Sequence, residues 1–106
     1  MKKDIIPKEE WLTEYGDRVA VFAYEVKKDR HYPDRIKYSF QLIHDGKRVV
    51  GYDNTYPEGH HRHFLGLKKK YKFINLDDTE ERFFFDIEKF EKIIYGNETE
   101  KNGNKD

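Results

Sequence analysis

The chain has no cysteine, and that absence removes several chemistries at once. Without thiols there is no disulfide, no cysteine-ligated zinc site and no thiol nucleophile. Proline, methionine and tryptophan are scarce, at three, one and one residues. No run approaches the roughly 20 apolar residues of a membrane span. Residues 1–7 lack the apolar core of a signal peptide. A soluble, cytoplasmic protein is expected. Net charge is missing too, because 21 Lys and Arg balance 21 Asp and Glu. Bulk charge therefore does not advertise a nucleic-acid partner.

What is present is aromatic and charged. Aromatics are 16% of the 106 residues, so the core is expected to be built from Phe and Tyr more than from Leu. This length suits one domain, expected over residues 1–96, with a polar, aperiodic tail over 97–106 that predicts disorder. The charge is segregated. Residues 59–72 carry Arg62, Lys68, Lys69, Lys70 and Lys72 with no acid. Residues 77–91 carry seven acids against Arg82 and Lys89. Two charged faces follow, either solvated or available for docking.

Residues up to about Gly16 read as a helical turn or an extended lead-in anchored by Trp11 and Leu12. Residues 18–26 are rich in β-branched and aromatic side chains and predict a strand. Ile36, Tyr38, Phe40 and Leu42 alternate with polar residues, the period of a half-buried strand. Asp45-Gly46 supplies a two-residue hairpin turn. Plain register from that turn pairs His44 with Lys47, Leu42 with Val49, Phe40 with Gly51 and Tyr38 with Asp53. It sets Asp53 on the apolar face. A short strand is expected over 61–64 and another over 70–75. Asp78 and Glu81 have capping-box spacing, with Asp78 as N-cap. The helix they open is expected to run to about Tyr95 and to stop at Gly96. Phe83, Phe84, Ile87, Phe90, Ile93 and Ile94 are its sheet-covering face. The fold class is α+β: a small antiparallel sheet with a long C-terminal helix packed on one face.

The chemistry concentrates in residues 51–63, which hold three of the five histidines. On an extended segment His61 and His63 project to one face and Arg62 to the other. Two imidazoles on one face can serve as an acid–base pair for RNA cleavage without a cofactor. Arg62, Lys68, Lys69 and Lys70 could stabilise phosphate charge. The same histidines with Asp53 or Glu58 could instead hold a divalent metal, although this spacing is a weak signal. Tyr52, Tyr56 and Tyr71 are candidates for stacking on bases. His31 and His44 read as surface residues.

The runs Arg35-Ile36-Lys37-Tyr38-Ser39-Phe40-Gln41-Leu42, Gly51-Tyr52-Asp53-Asn54 and Gly59-His60-His61-Arg62-His63 resemble the TumE-type toxin family of toxin–antitoxin modules. Tyr71-Lys72-Phe73 and Phe85-Asp86-Ile87-Glu88 fit the same pattern, and the resemblance extends over about 19–91. It implies a small toxin with a helix-turn-helix antitoxin as partner and RNA as the natural target. The His-Arg-His element falls on His61, Arg62 and His63, and the Tyr-Asp-Asn element on Tyr52, Asp53 and Asn54. Two departures are His60, where an acid is expected, and Leu65, where a small residue is expected. The combined reading is an endoribonuclease with His61, His63, Arg62 and Asp53 as catalytic residues. Tyr52, Asn54, His60, Lys68, Lys69 and Lys70 would bind substrate, and no cofactor is needed. A metal-dependent nuclease or phosphotransferase, and a non-enzymatic interaction module, stay open. So does a homodimer.

Overall fold

A computed structural model describes residues 3–104, with side chains described for residues 3–96. Six strands follow one another in chain order across a single antiparallel sheet: β1 (Asp4–Leu12), β2 (Arg18–Glu25), β3 (Ile36–His44), β4 (Lys47–Asp53), β5 (His61–Phe64) and β6 (Leu67–Lys70). One helix, α1 (Leu76–Asn104), packs chiefly on β4 and β3. The α+β architecture expected from the sequence is therefore found.

The core lies between the helix and the middle strands. Val19, Val21 and Ala23 of β2, Tyr38, Phe40 and Leu42 of β3, and Val50 and Tyr52 of β4 are buried under Phe83, Ile87 and Phe90 of α1. The strand residues alternate because successive side chains leave opposite faces of the sheet. Phe83 packs on Phe40, and Phe90 on His44, so the helix runs along β3.

Several expectations are corrected. The lead-in is a full edge strand, β1, paired from Asp4 opposite Tyr24 to Leu12 opposite Arg18. Trp11 and Leu12 do not anchor it: they are 41% and 67% exposed, because that end of β1 lies beyond the helix, and it is Ile6 that packs against the core. Its Pro7 suits an edge, where a missing ladder donor matters least. The apolar helix face is narrower than expected. Of the six residues expected on it, Phe84, Ile93 and Ile94 are exposed, since the strip over β3 and β4 is too narrow for all of them. The helix also starts earlier. Asn75 is the N-cap: its Oδ1 accepts the Asp78 N–H at 2.8 Å and its carbonyl accepts the Thr79 N–H at 3.1 Å. Asp78 instead accepts from Arg82 Nε one turn on, at 2.8 Å. The last strand is Leu67–Lys70 rather than 70–75, because it pairs back on β5 from Leu67 opposite Phe64 to Lys70 opposite His61, where β5 begins. The helix passes through Gly96, where a stop was expected, to Asn104. The tail expected to be disordered over 97–106 falls largely outside what is described: its side chains, and Lys105 and Asp106 altogether.

The most consequential correction is a register shift. Asp45 and Gly46 take φ of 54° and 77°, and His44 pairs with Lys47 as the turn dictates. Ile43 then pairs with Arg48 but Leu42 with Val50, which leaves Val49 as a β-bulge. Every later partner moves by one. Phe40 faces Tyr52, and Ser39 faces Asp53. Tyr52 is thereby turned into the core and Asp53 out of it.

A second tight turn, Leu65-Gly66, was not anticipated. It joins β5 to β6, with φ of 49° and 87°. A leucine in the left-handed region costs roughly 1–2 kcal/mol that glycine or asparagine largely avoids. Its side chain is exposed, so little packing is lost on replacement. Leu65→Asn is expected to raise stability by about 1 kcal/mol in urea unfolding. An unchanged midpoint would show that the turn carries no such strain.

Candidate functional site

The strand alternation divides the motif residues between the two faces of the sheet. β4 and β5 pair Gly51 with His63, Tyr52 with Arg62 and Asp53 with His61. β5 and β6 pair His61 with Lys70, Arg62 with Lys69 and His63 with Lys68. Directly paired residues share a face. Asp53, His61, His63, Lys68 and Lys70 therefore belong to the outer face, and Tyr52, Arg62 and Lys69 to the helix face. The sequence expectation that Arg62 opposes the two histidines holds, so its guanidinium does not join them.

On the outer face each histidine has a carboxylate beside it. His63 Nε2 lies 3.3 Å from Asp53 Oδ2. His61 is 5% exposed; its Nδ1 lies 2.7 Å from the Gly59 carbonyl, which can only accept, so that nitrogen carries the proton. Its Nε2 lies 3.6 Å from Glu58 Oε1. Lys68 Nζ donates to the other Glu58 oxygen at 2.7 Å, which holds that carboxyl below its usual range. The two imidazole centroids are 6.4 Å apart.

Arg48 completes this face, and the absence of a side chain at Gly51 lets it do so. A Cβ on Gly51 would stand 2.9 Å from Arg48 Cδ. The arginine instead lies across the glycine and brings its NH1 to 3.9 Å from Asp53 Oδ2. Burial, and next the Arg48 charge, push the His63 imidazole below its ordinary value of 6.5, while Asp53 opposes them.

The helix face is organised around Asp86, a carboxylate only 4% exposed. Arg62 donates to it twice, from Nε at 2.7 Å and from NH2 at 3.2 Å. The Tyr52 hydroxyl donates to it at 2.7 Å. This fork ties β4, β5 and α1 together. It raises the Arg62 pKa, and burial followed by the neighbouring Asp86 raises that of Tyr52. Arg62 also lies over the Phe64 ring, its Cζ 5.0 Å from the centroid.

Two further motif residues are framework. Asn54 is buried beyond the end of β4, where it replaces the missing ladder. Its Oδ1 accepts the Tyr38 N–H at 3.1 Å and its Nδ2 donates to the Ile36 carbonyl at 2.7 Å. His60 has both ring nitrogens engaged, Nδ1 with the Tyr38 hydroxyl at 2.8 Å and Nε2 with Asp34 at 2.9 Å, and Phe73 stacks on its ring. The Tyr38 hydroxyl also meets that of Tyr71.

Sequence reasoning missed Arg48 and Asp86. Asp86 had a readable signal, an acid inside the buried Phe83, Ile87, Phe90 stripe. Arg48 had none, because its reach depends on the bulge and on Gly51. Among the described residues no group of three or more His, Asp and Glu could hold a metal ion. Nor, among them, is any helix long and apolar enough to cross a membrane.

The family model of the toxin TumE matches residues 8–91. The chain belongs to the TumE toxin family. Membership makes it a toxin of a toxin–antitoxin module and implies an antitoxin as partner. All the motif residues described above lie inside the matched span. No curated protein and no solved structure gives a significant match to this TumE-family chain.

Two predictions follow from this geometry. Tyr52→Phe removes one donor and leaves the Arg62–Asp86 pair intact, a cost of about 1 kcal/mol. Asp86→Ala strands a half-buried guanidinium and a buried hydroxyl, a cost of about 3 kcal/mol, at the low end for a buried pair because Arg62 keeps some water. Urea denaturation separates the two, and equal losses would deny Asp86 its central place. For His63, the folded chain keeps the ring neutral to lower pH than the unfolded chain does. Its contribution to stability is present above the ordinary value of 6.5 and is lost as pH falls through the lowered one. Arg48→Gln should raise the His63 midpoint in an NMR titration. Gly51→Ala should raise it as well by displacing Arg48, and a midpoint unmoved in both would remove Arg48 from the site.

Proposed function

We propose that this toxin is a metal-independent endoribonuclease whose acid–base pair is His63 and His61. The observation that carries the reading is the pairing of two imidazoles on one sheet face, 6.4 Å apart, each with its own carboxylate neighbour. His63 is suited to act as base, because its lowered pKa keeps it neutral near pH 7. It takes the proton of a ribose 2′-hydroxyl, and that oxygen attacks the adjacent phosphorus. The bond from phosphorus to the 5′-oxygen breaks. His61 acts as the imidazolium: its Nδ1 proton stays on the Gly59 carbonyl and its second proton, on Nε2 facing Glu58, goes to the departing oxygen. A 2′,3′-cyclic phosphate and a 5′-hydroxyl result. Arg48 and Lys68 supply the positive charge that the phosphorane requires. Asp53 orients His63. Arg62 and Tyr52 support the sheet from behind through Asp86. Asn54 and His60 hold the loop, and Lys69 and Lys70 extend the cationic edge along the strand. The partner is read as a helix-turn-helix antitoxin, and RNA as the substrate.

Purified protein is expected to cleave a mixed RNA with EDTA present, leaving cyclic phosphate ends. The His61→Ala/His63→Ala variant should not cleave, and antitoxin bound to the wild type should suppress cleavage. The rate should fall as pH drops through the lowered His63 value, where the base becomes protonated. Cleavage that persists in the double variant, or that stops with EDTA, would sink the proposal.

A further inference from the structure

Next to the histidine face is a half-enclosed cavity of ≈ 210 Å³ that the mechanism above does not use. It lies between the loop from β2 to β3 and the loop from β4 to β5. Arg30, His31 and Pro33 line it from one side, and Tyr56, Pro57 and Gly59 from the other, with His60 also in its wall. The rings of His31 and Tyr56 meet edge to face, with centroids 3.8 Å apart.

Both loops are held in place. Asp29 Oδ1 accepts the His31 and Tyr32 N–H groups at 2.8 and 3.1 Å. The Tyr56 N–H donates to the Tyr32 hydroxyl at 3.4 Å, and Lys37 Nζ to Thr55 Oγ1 at 3.3 Å. His60 is fixed by Asp34 and Tyr38. The wall is thus pre-formed, and its surfaces are rings, prolines, one guanidinium and the Asn54 amide, whose oxygen and nitrogen already bond Tyr38 and Ile36. That lining suits a flat aromatic ligand held by stacking and by a cation over its π face. A bare phosphate would want more donors. The cavity is also one hydrogen bond from the proposed acid, because its wall residue Gly59 accepts from His61 Nδ1 at 2.7 Å.

We infer that this cavity takes a nucleobase of single-stranded RNA next to the cleaved phosphate, with Tyr56, His31 and Arg30 as its specificity-determining residues. The assignment rests on the ribonuclease reading for its purpose but not for its test. Binding of the four nucleoside 5′-monophosphates, which contain no bond to cleave, is measured by NMR on the wild-type protein with inorganic phosphate as control. At least one nucleotide is expected to shift the His31 and Tyr56 resonances saturably, whereas phosphate does not. Tyr56→Ala should weaken the nucleotide about tenfold or more, the scale of one lost base stack. Tyr56→Trp, which retains a stacking surface, should restore binding. Shifts confined to Arg48 and Lys68, equal response to phosphate alone, or affinity unchanged in Tyr56→Ala would each overturn the assignment. Failure of RNA cleavage in the wild type would bring down the ribonuclease reading while leaving this binding result to stand or fall alone.

Discussion

The bulge at Val49 is the constraint on which both faces of the sheet depend. A hairpin closed by Asp45-Gly46 with no bulge would have turned Asp53 toward the core and Tyr52 toward water. One unpaired residue reverses that parity for the rest of β4. Because β5 is paired to β4 residue by residue, the reversal is passed on to it. The bulge therefore decides that His61 and His63 look outward with Asp53, and that Arg62 looks toward the helix. A buried aspartate without a partner would cost several kcal/mol, whereas Tyr52 in the core gains both packing and an acceptor on α1.

Asp86 is the other half of that arrangement. The helix touches little of the sheet beyond β3 and β4, so it needs a specific bond to hold its position against β5. The fork from Arg62 and the Tyr52 hydroxyl provide one, at the point where the apolar stripe of the helix is interrupted. The four-residue strand β5 carries the whole His-Arg-His element, with its central residue bonded to the helix. Support of the outer face thus comes from the inner one. The two histidines of the motif and its framework arginine leave opposite faces of the same strand.

Charge on the outer face is arranged in alternation. Arg48, Asp53 and His63 form one group, and His61, Glu58 and Lys68 form another. Each carboxylate is shared between a histidine and a permanent cation. Burial and the arginine lower the proton affinity of His63, while the His61 ring lies between a glutamate and a carbonyl. Gly51 makes room for the first group, since any side chain there would occupy the path of Arg48.

The fold class, the β3–β4 turn, the long helix and the shared face of His61 and His63 were legible in the sequence. Each follows from a local rule: periodicity of two or of 3.6, the turn preference of Asp-Gly, and the alternation of side chains on a strand. The TumE resemblance was legible as well, from the order of the Tyr-Asp-Asn and His-Arg-His elements. Edge strand β1 was not, because a strand that buries little beyond Ile6 needs no apolar alternation. The side on which Asp53 and Tyr52 fall was not either, since one bulged residue leaves no mark in the composition yet inverts all that follows. Asp53, Glu58 and Lys68 could be named as neighbours of the histidines from the sequence, whereas Arg48 and Asp86 were placed by tertiary structure alone. Arg48 reaches Asp53 over the gap at Gly51, and Asp86 reaches Arg62 across the interface of helix and sheet. Those contacts depend on register and packing at a distance, which only the assembled sheet and helix specify.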